Sequence, residues 1–250
     1  MRLSGQVALV TGAARRLGRA IALTLAEEGA DVILHVHTSS GEDIAGEARA
    51  LGRQAWIVRA DLARTAEAVR LSQGVIDLVG RVDIVVNNAA VFFPTPLATL
   101  SVPTWRMVLS MNLSAPFILS LFLGRTMRTC GAGKIIQLSD WSGVRPVPGY
   151  LPYCVTKGGL LALTQVLAKA LAPQVQVNGI APGPVLPPDG YTQEECHALR
   201  MHTPLRRLGQ VEDVTRVVRF LVTTGDFVTG AIYWTDGGWL AKAPGGTETS

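Results

Sequence analysis

The chain has 250 residues, of which 48% are hydrophobic, with 23 Lys and Arg against 19 Asp and Glu for a formal net charge of +4. That length suits one large α/β domain or two small ones and buries a sizeable core without staples. The basic residues are scattered, with no run of five, which argues against the clustered stripe that nucleic-acid binding needs and leaves small anions as partners. No uninterrupted run of 18 apolar residues occurs, so no membrane span is expected, and MRLSGQVALVTG lacks the regions of a signal peptide. Cys130, Cys154 and Cys196 have neither disulfide nor metal-ligand spacing, so a reducing cytoplasm and no metal are the expectations.

In chain order, short apolar runs alternate with longer amphipathic stretches. Val7–Thr11 reads as a strand and Arg16–Glu28 as a helix; Asp31–Val36 is a strand and Asp43–Leu51 a helix. Trp56–Arg59 and Ile84–Asn87 are strands around a helix at Ala66–Val79. Helices follow at Val102–Leu109 and Leu113–Arg128, then a strand at Lys134–Leu138 and a helix at Tyr153–Leu171. Val175–Ile180 is a strand, Val211–Leu221 a helix and Ile232–Thr235 the last strand. Such alternation predicts a parallel sheet with helices on both faces. Ala181–Pro204, rich in Pro, Gly and polar residues, reads as a loop over the site, and Ala241–Ser250 as a frayed tail. No linker or fixed-period repeat divides the chain, so residues 1–240 are expected to be one domain.

Thr11-Gly12-Ala13-Ala14-Arg15-Arg16-Leu17-Gly18 leaves the first strand and opens the first helix. There the helix N-terminus offers free N–H groups to a pyrophosphate, and Gly12 and Gly18 allow close backbone approach. The second strand ends in His35-Val36-His37-Thr38-Ser39-Ser40, without the acidic residue that binds a ribose 2′-OH. His35, His37, Thr38 and Ser39, with Arg16, suit a 2′-phosphate and so NADP(H), or the two histidines are simply polar strand-end residues. Asp61, followed by Leu62, either accepts from an adenine amino group or merely caps a helix. Asn87-Asn88-Ala89-Ala90 ends the fourth strand with small side chains past which a flat ligand can lie, although a plain turn uses the same residues.

Tyr153 and Lys157, four apart, share one face of their helix. The Lys157 ammonium favours the phenolate of Tyr153 and is expected to lower a pKa that is ordinarily about 10, which makes a proton donor. Asp140 stands thirteen residues before Tyr153.

Taken together, the turn at Thr11–Gly18, Asn87-Asn88-Ala89, Asn112, Tyr153 with Lys157, Pro182-Gly183 and Asp236-Gly237-Gly238 resemble the short-chain dehydrogenase/reductase family over nearly the whole chain. The resemblance implies a single-domain Rossmann fold with a doubly wound, seven-stranded parallel sheet, and a homotetramer. Within the family the chain looks most like the pteridine reductases. Arg16 replaces a middle Gly, Asn87–Pro96 reads NNAAVFFPTP, Asp140 stands where most members carry the catalytic Ser, and Val175–Pro188 looks like the bacterial branch. Ala90 and Val91 depart from small hydroxyl residues of that pattern, and Pro187 stands where many members have a Thr near the nicotinamide.

By that resemblance the reaction is hydride transfer from NADPH to a C=N bond of a dihydropterin or dihydrofolate. Asp140, Tyr153, Lys157 and Asn112 are the catalytic residues, with Asn112 supporting Lys157 through a water. Gly12, Arg16, Leu17, Gly18, His35, His37, Thr38, Ser39, Asp61, Leu62, Asn88, Ala89, Tyr153, Lys157, Pro182 and Gly183 bind the cofactor. Arg16, Phe92, Asp140 and Tyr153 meet the substrate, with Phe92 stacking on the pterin. An ionised Asp140 accepts from N–H donors and repels a ketone oxygen gaining negative charge. The competing readings are a 3-oxoacyl-acyl-carrier-protein reductase or broad carbonyl reductase, and a non-catalytic NADP-binding regulator.

Overall fold

The computed structural model describes residues 1–187 and 190–241. The expected tail at 241–250 lies outside the described residues except for Ala241. Seven strands form one sheet, all pairs parallel: β1 (Val7–Val10), β2 (Asp31–Val36), β3 (Ala55–Arg59), β4 (Ile84–Asn87), β5 (Gly133–Leu138), β6 (Val175–Pro182) and β7 (Ile232–Thr235). Their order is β3-β2-β1-β4-β5-β6-β7. The chain therefore runs outward from β1 in one direction, returns, and runs outward from β4 in the other. Between β1 and β4 lies the switch point where such sheets bind ligands at their carboxyl ends.

The helices are α1 (Arg16–Glu27), α2 (Glu42–Ala50), α3 (Thr65–Val79), α4 (Val102–Leu109), α5 (Ala115–Cys130), α6 (Leu151–Leu171), α7 (Gln193–His202) and α8 (Val211–Thr223). Because strand side chains alternate faces, each strand feeds two cores. Ala8, Val10, Val32, Leu34, Ile84 and Val86 pack with α1, α2 and α8, through residues such as Ile21, Leu25, Ile44 and Val218. Leu9, Ile33, Val85, Ile135 and Val177 pack on the opposite face with α3, α5 and α6, through Leu71, Val75, Leu119, Met127 and Leu167. Burial on both faces explains why the strands read as continuous apolar runs. Each fully buried Leu or Ile contributes roughly 1.5–3 kcal/mol to holding the layers together.

The structure departs from the sequence reading in three places. The span 181–204 is not one loop: β6 continues to Pro182, and α7 begins after Thr192. A reciprocal cap starts α7, in which Thr192 Oγ1 accepts from Glu195 N–H and Glu195 accepts from Thr192 N–H. The predicted helices on either side of residue 110 are joined without a break by a π-helical turn, Ser110–Ser114. The continuous stretch Val102–Cys130, and Leu151–Leu171, are each long and apolar enough to cross a membrane by length and composition, although neither contains an uninterrupted apolar run of 18 residues. In this fold their apolar faces cover the sheet.

Candidate active site

At the carboxyl end of β1 the turn 11–18 is braced from behind. Gly18 is required there, since a Cβ would sit 2.1 Å from Gly12 O and 2.5 Å from Asn88 Nδ2. Asn88 Nδ2 donates to Thr11 O at 2.9 Å, and the N–H groups of Asn88 and Ala89 donate to Thr11 Oγ1 at 2.9 and 3.0 Å. These bonds tie the end of β4 to the turn across the switch point. Arg15, the residue before α1, supplies no side-chain cap to the helix. The first-turn N–H groups are thus left for an anion. Arg16 sits at φ 52°, the left-handed region that favours Gly, which explains why Gly is common at this place in the pattern. Its guanidinium reaches the loop after β6 and donates to Leu186 O at 2.8 Å and Pro187 O at 3.0 Å.

His35 does not serve as a phosphate ligand. It is 1% exposed, its Nδ1 accepts from Gly12 N–H at 3.1 Å, and its Nε2–H donates to Ala60 O at 3.1 Å. Burial drives its pKa down to about 4, so it is neutral and acts as a strut between the turn and β3. His37, Thr38 and Ser39 lie exposed beyond β2, as a ligand-facing role requires. Sequence reading missed Arg59, whose guanidinium donates to Ser39 O at 2.6 Å and Ser40 O at 3.1 Å. Asp61 does not cap a helix, since α3 begins after Arg64 without a side-chain cap; its Oδ1 accepts from Ala63 N–H at 3.0 Å in a local turn. The Leu62 side chain belongs to the core, so only its backbone can meet a ligand. Pro182 and Gly183 close β6, with Gly183 N–H donating to Thr235 O at 3.1 Å.

Asp140, Tyr153 and Lys157 are brought together at the carboxyl end of β5. Asp140 caps the 3-10 turn Trp141–Gly143, its Oδ1 accepting from Ser142 N–H at 2.8 Å. The turn is pressed on α6: a Cβ at Gly143 would lie 2.7 Å from Gly158 N. Ser139 Oγ donates to Lys157 O at 2.8 Å, and Lys157 Nζ donates to Leu138 O at 2.7 Å. Lys157 Nζ is 5.4 Å from the Tyr153 ring centre. The Tyr153 hydroxyl lies close enough to the Asp140 carboxylate for each group to shift the other's pKa.

The electrostatics reverse one expectation. Tyr153 is pushed well above its ordinary value, by burial first and then by the charge of Asp140, rather than being lowered by Lys157. Burial raises Asp140, against the opposing effects of Ser142 and Lys157. Burial lowers Lys157 to about 8. A carboxylate, a phenol and an amine thus share one desolvated space and control each other's protons.

Asn112 is 1% exposed in the π-helical turn. Its Oδ1 accepts from Val91 N–H at 2.8 Å and its Nδ2 donates to Val91 O at 2.9 Å, so the amide is used in holding the segment after β4. That places Phe92, 45% exposed, beside the trio. Phe92 stacks on Tyr150 with ring centres 4.5 Å apart and meets Tyr153 edge-on at 4.7 Å. Tyr150, which lacks a Lys four residues later, is therefore an aromatic wall. Trp141 packs at 5.1 Å on Trp239, which sequence reading did not single out. Among the described residues no group of His, Cys, Asp and Glu could hold a metal.

Comparison with known proteins agrees with this architecture. A family model described as enoyl-(acyl carrier protein) reductase matches residues 12–240. The chain is 34% identical to a 3-oxoacyl-[acyl-carrier-protein] reductase of Synechocystis sp. over 95% of this chain and 98% of that protein. It is 31% identical to the 7alpha-hydroxysteroid dehydrogenase of Escherichia coli over 97% of each. A blue fluorescent protein from a metagenomic library, solved in complex with NADPH, superposes with a TM-score of 0.88 at 31% identity, covering 96% of this chain and 99% of that one. With its seven-stranded parallel sheet and matched motifs, the chain belongs to the short-chain dehydrogenase/reductase family of oxidoreductases.

Proposed function

We propose that this protein is an NADPH-dependent reductase whose acceptor is the C=N bond of a pterin-type heterocycle, and the observation that carries this reading is Asp140 standing beside Tyr153 and Lys157 in one cluster in which it shifts the protonation of both. The residues fit the cofactor. The α1 N-terminus lacks a side-chain cap, Gly12 and Gly18 line the turn, and residues 37–40 at the end of β2 contain no carboxylate. Gly12, Arg16, Leu17 and Gly18 would hold the pyrophosphate. His37, Thr38 and Ser39 would meet the 2′-phosphate. Asn88, Ala89, Pro182 and Gly183 would flank the nicotinamide half. The bound cofactor supplies the hydride.

The chain's own residues manage the proton. Tyr153 gives its hydroxyl proton to the acceptor nitrogen as the C=N bond is reduced, and the neighbouring Asp140, when protonated, refills the phenol. Burial favours the protonated form of Asp140 and suits it to that task. Lys157, held by Leu138 O, fixes positive charge beside the developing phenolate. Phe92 offers an aromatic face beside Tyr153 for a flat bicycle.

A second reading, reduction of a 3-oxoacyl thioester or another ketone, is the one that the comparisons back better, through the name of the Synechocystis relative. Relatives of similar identity carry different substrate names, so identity at this level constrains the acceptor weakly. The two readings part at Asp140. Purified protein is given NADPH with dihydrobiopterin, dihydrofolate or an acetoacetyl thioester, and the reduced-nicotinamide absorbance is followed. The pterin reading expects oxidation with the pterins and a loss of about 100-fold in Asp140→Ser. Oxidation with the thioester alone sinks it in favour of the second reading, and no oxidation with any acceptor supports a non-catalytic regulator.

A further inference from the structure

Ser142 is 3% exposed, and its hydroxyl is buried without a completed hydrogen bond. Such a group ordinarily costs stability and needs a reason for being there. Its own N–H already donates to Asp140 Oδ1 at 2.8 Å, and its hydroxyl faces the same carboxylate. The turn cannot withdraw, because Gly143 lies against the α6 backbone at Lys157 and Gly158. The groups facing Asp140 are thus Tyr153 and Lys157 from α6 and Ser142 from its own turn.

We propose that Ser142 is a positioning residue for Asp140: its hydroxyl supplies a second hydrogen bond to the carboxylate when that group is ionised, beside the bond from its own N–H. A carboxylate offers about four lone-pair sites, and the Ser142 N–H and Tyr153 hydroxyl leave room for another donor. When Asp140 takes a proton, the hydroxyl can rotate and accept instead. Ser142 therefore serves both states of the group that refills Tyr153, and favours the ionised one. This rests on Asp140 carrying a proton, not on which acceptor is reduced.

The test is a carboxyl carbon-13 NMR titration of the whole protein without substrate, the Asp140 signal being assigned by its absence in Asp140→Asn. Ser142→Ala is expected to titrate about one pH unit above the wild type, with Ser142→Thr close to the wild type. The high-pH limb of turnover should move upward by the same amount. An unchanged Asp140 titration in Ser142→Ala overturns the proposal. Should that variant not fold, Ser142→Cys, a weaker donor, is expected to give a smaller upward shift, and no shift there overturns it as well. A wild type that reduces none of the acceptors sinks the functional reading and leaves this titration fully readable.

Discussion

At the end of β1, the turn from Thr11 to Gly18 is held by groups that carry no charge at neutral pH. These are the Asn88 amide on Thr11 O, the neutral His35 ring on Gly12 N–H, and a glycine whose Cβ would strike a carbonyl. At the end of β5, the opposite holds: every side chain of the trio is ionisable, desolvated and within reach of another. The first region fixes a shape by removing freedom. The second fixes a distribution of protons by removing water. Substitutions in the first should therefore appear as lost binding or stability, and in the second as lost turnover with the fold intact.

Tyr153→Phe breaks the second region most directly. It removes the hydroxyl beside Asp140 and keeps the ring that meets Phe92. Turnover is expected to fall by about 10²- to 10⁴-fold, as for a lost general acid, while the circular dichroism spectrum stays near the wild type. A loss below tenfold would move the proton donor elsewhere.

His35 sharpens the first region. Its folded pKa, about 4, lies below its ordinary value of 6.5, so the unfolded chain takes the proton first. Its contribution to stability is whole above pH 6.5 and is lost as pH falls toward 4, by about 3 kcal/mol in all. Urea unfolding at steps between pH 8 and 4 should show that fall in the wild type and a shallower one in His35→Phe. Equal slopes would mean that His35 is not the neutral strut described.

The contrast also explains what the sequence made legible. Seven strands and most helices were readable because each strand is apolar on both faces, and the helix Val102–Leu109 was found to the residue. The Asp140, Tyr153 and Lys157 cluster was readable because β5 and a helix spacing of four bring them together. Partners set by tertiary contact were not readable. His35 turned inward because β2 is central and buried. Asn112 turned to Val91 because the π-helical turn re-aims it. Tyr153 rose in pKa because burial and a nearby anion outweigh a neighbouring ammonium. One missed element, α7, did have a signal in Thr192 and Glu195 at capping-box spacing.

Arg59 yields the smallest effect and the finest division between the regions. It is exposed and donates to the carbonyls of Ser39 and Ser40, so it shapes the loop proposed to meet the 2′-phosphate. Exposed charge-assisted bonds are each worth little, on the order of 1 kcal/mol or less. Arg59→Gln is therefore expected to weaken NADPH binding by about threefold to fivefold, leaving NADH binding and the turnover at saturating NADPH unchanged. Calorimetric titration with the two cofactors measures this without relying on any substrate. Equal weakening toward both would show that Arg59 supports the sheet end in general; no weakening would detach the loop 39–40 from cofactor choice. In either case the trio at β5 should keep its turnover, because no bond links it to Arg59, and a change there would mean that shape and proton control are not separable in this fold.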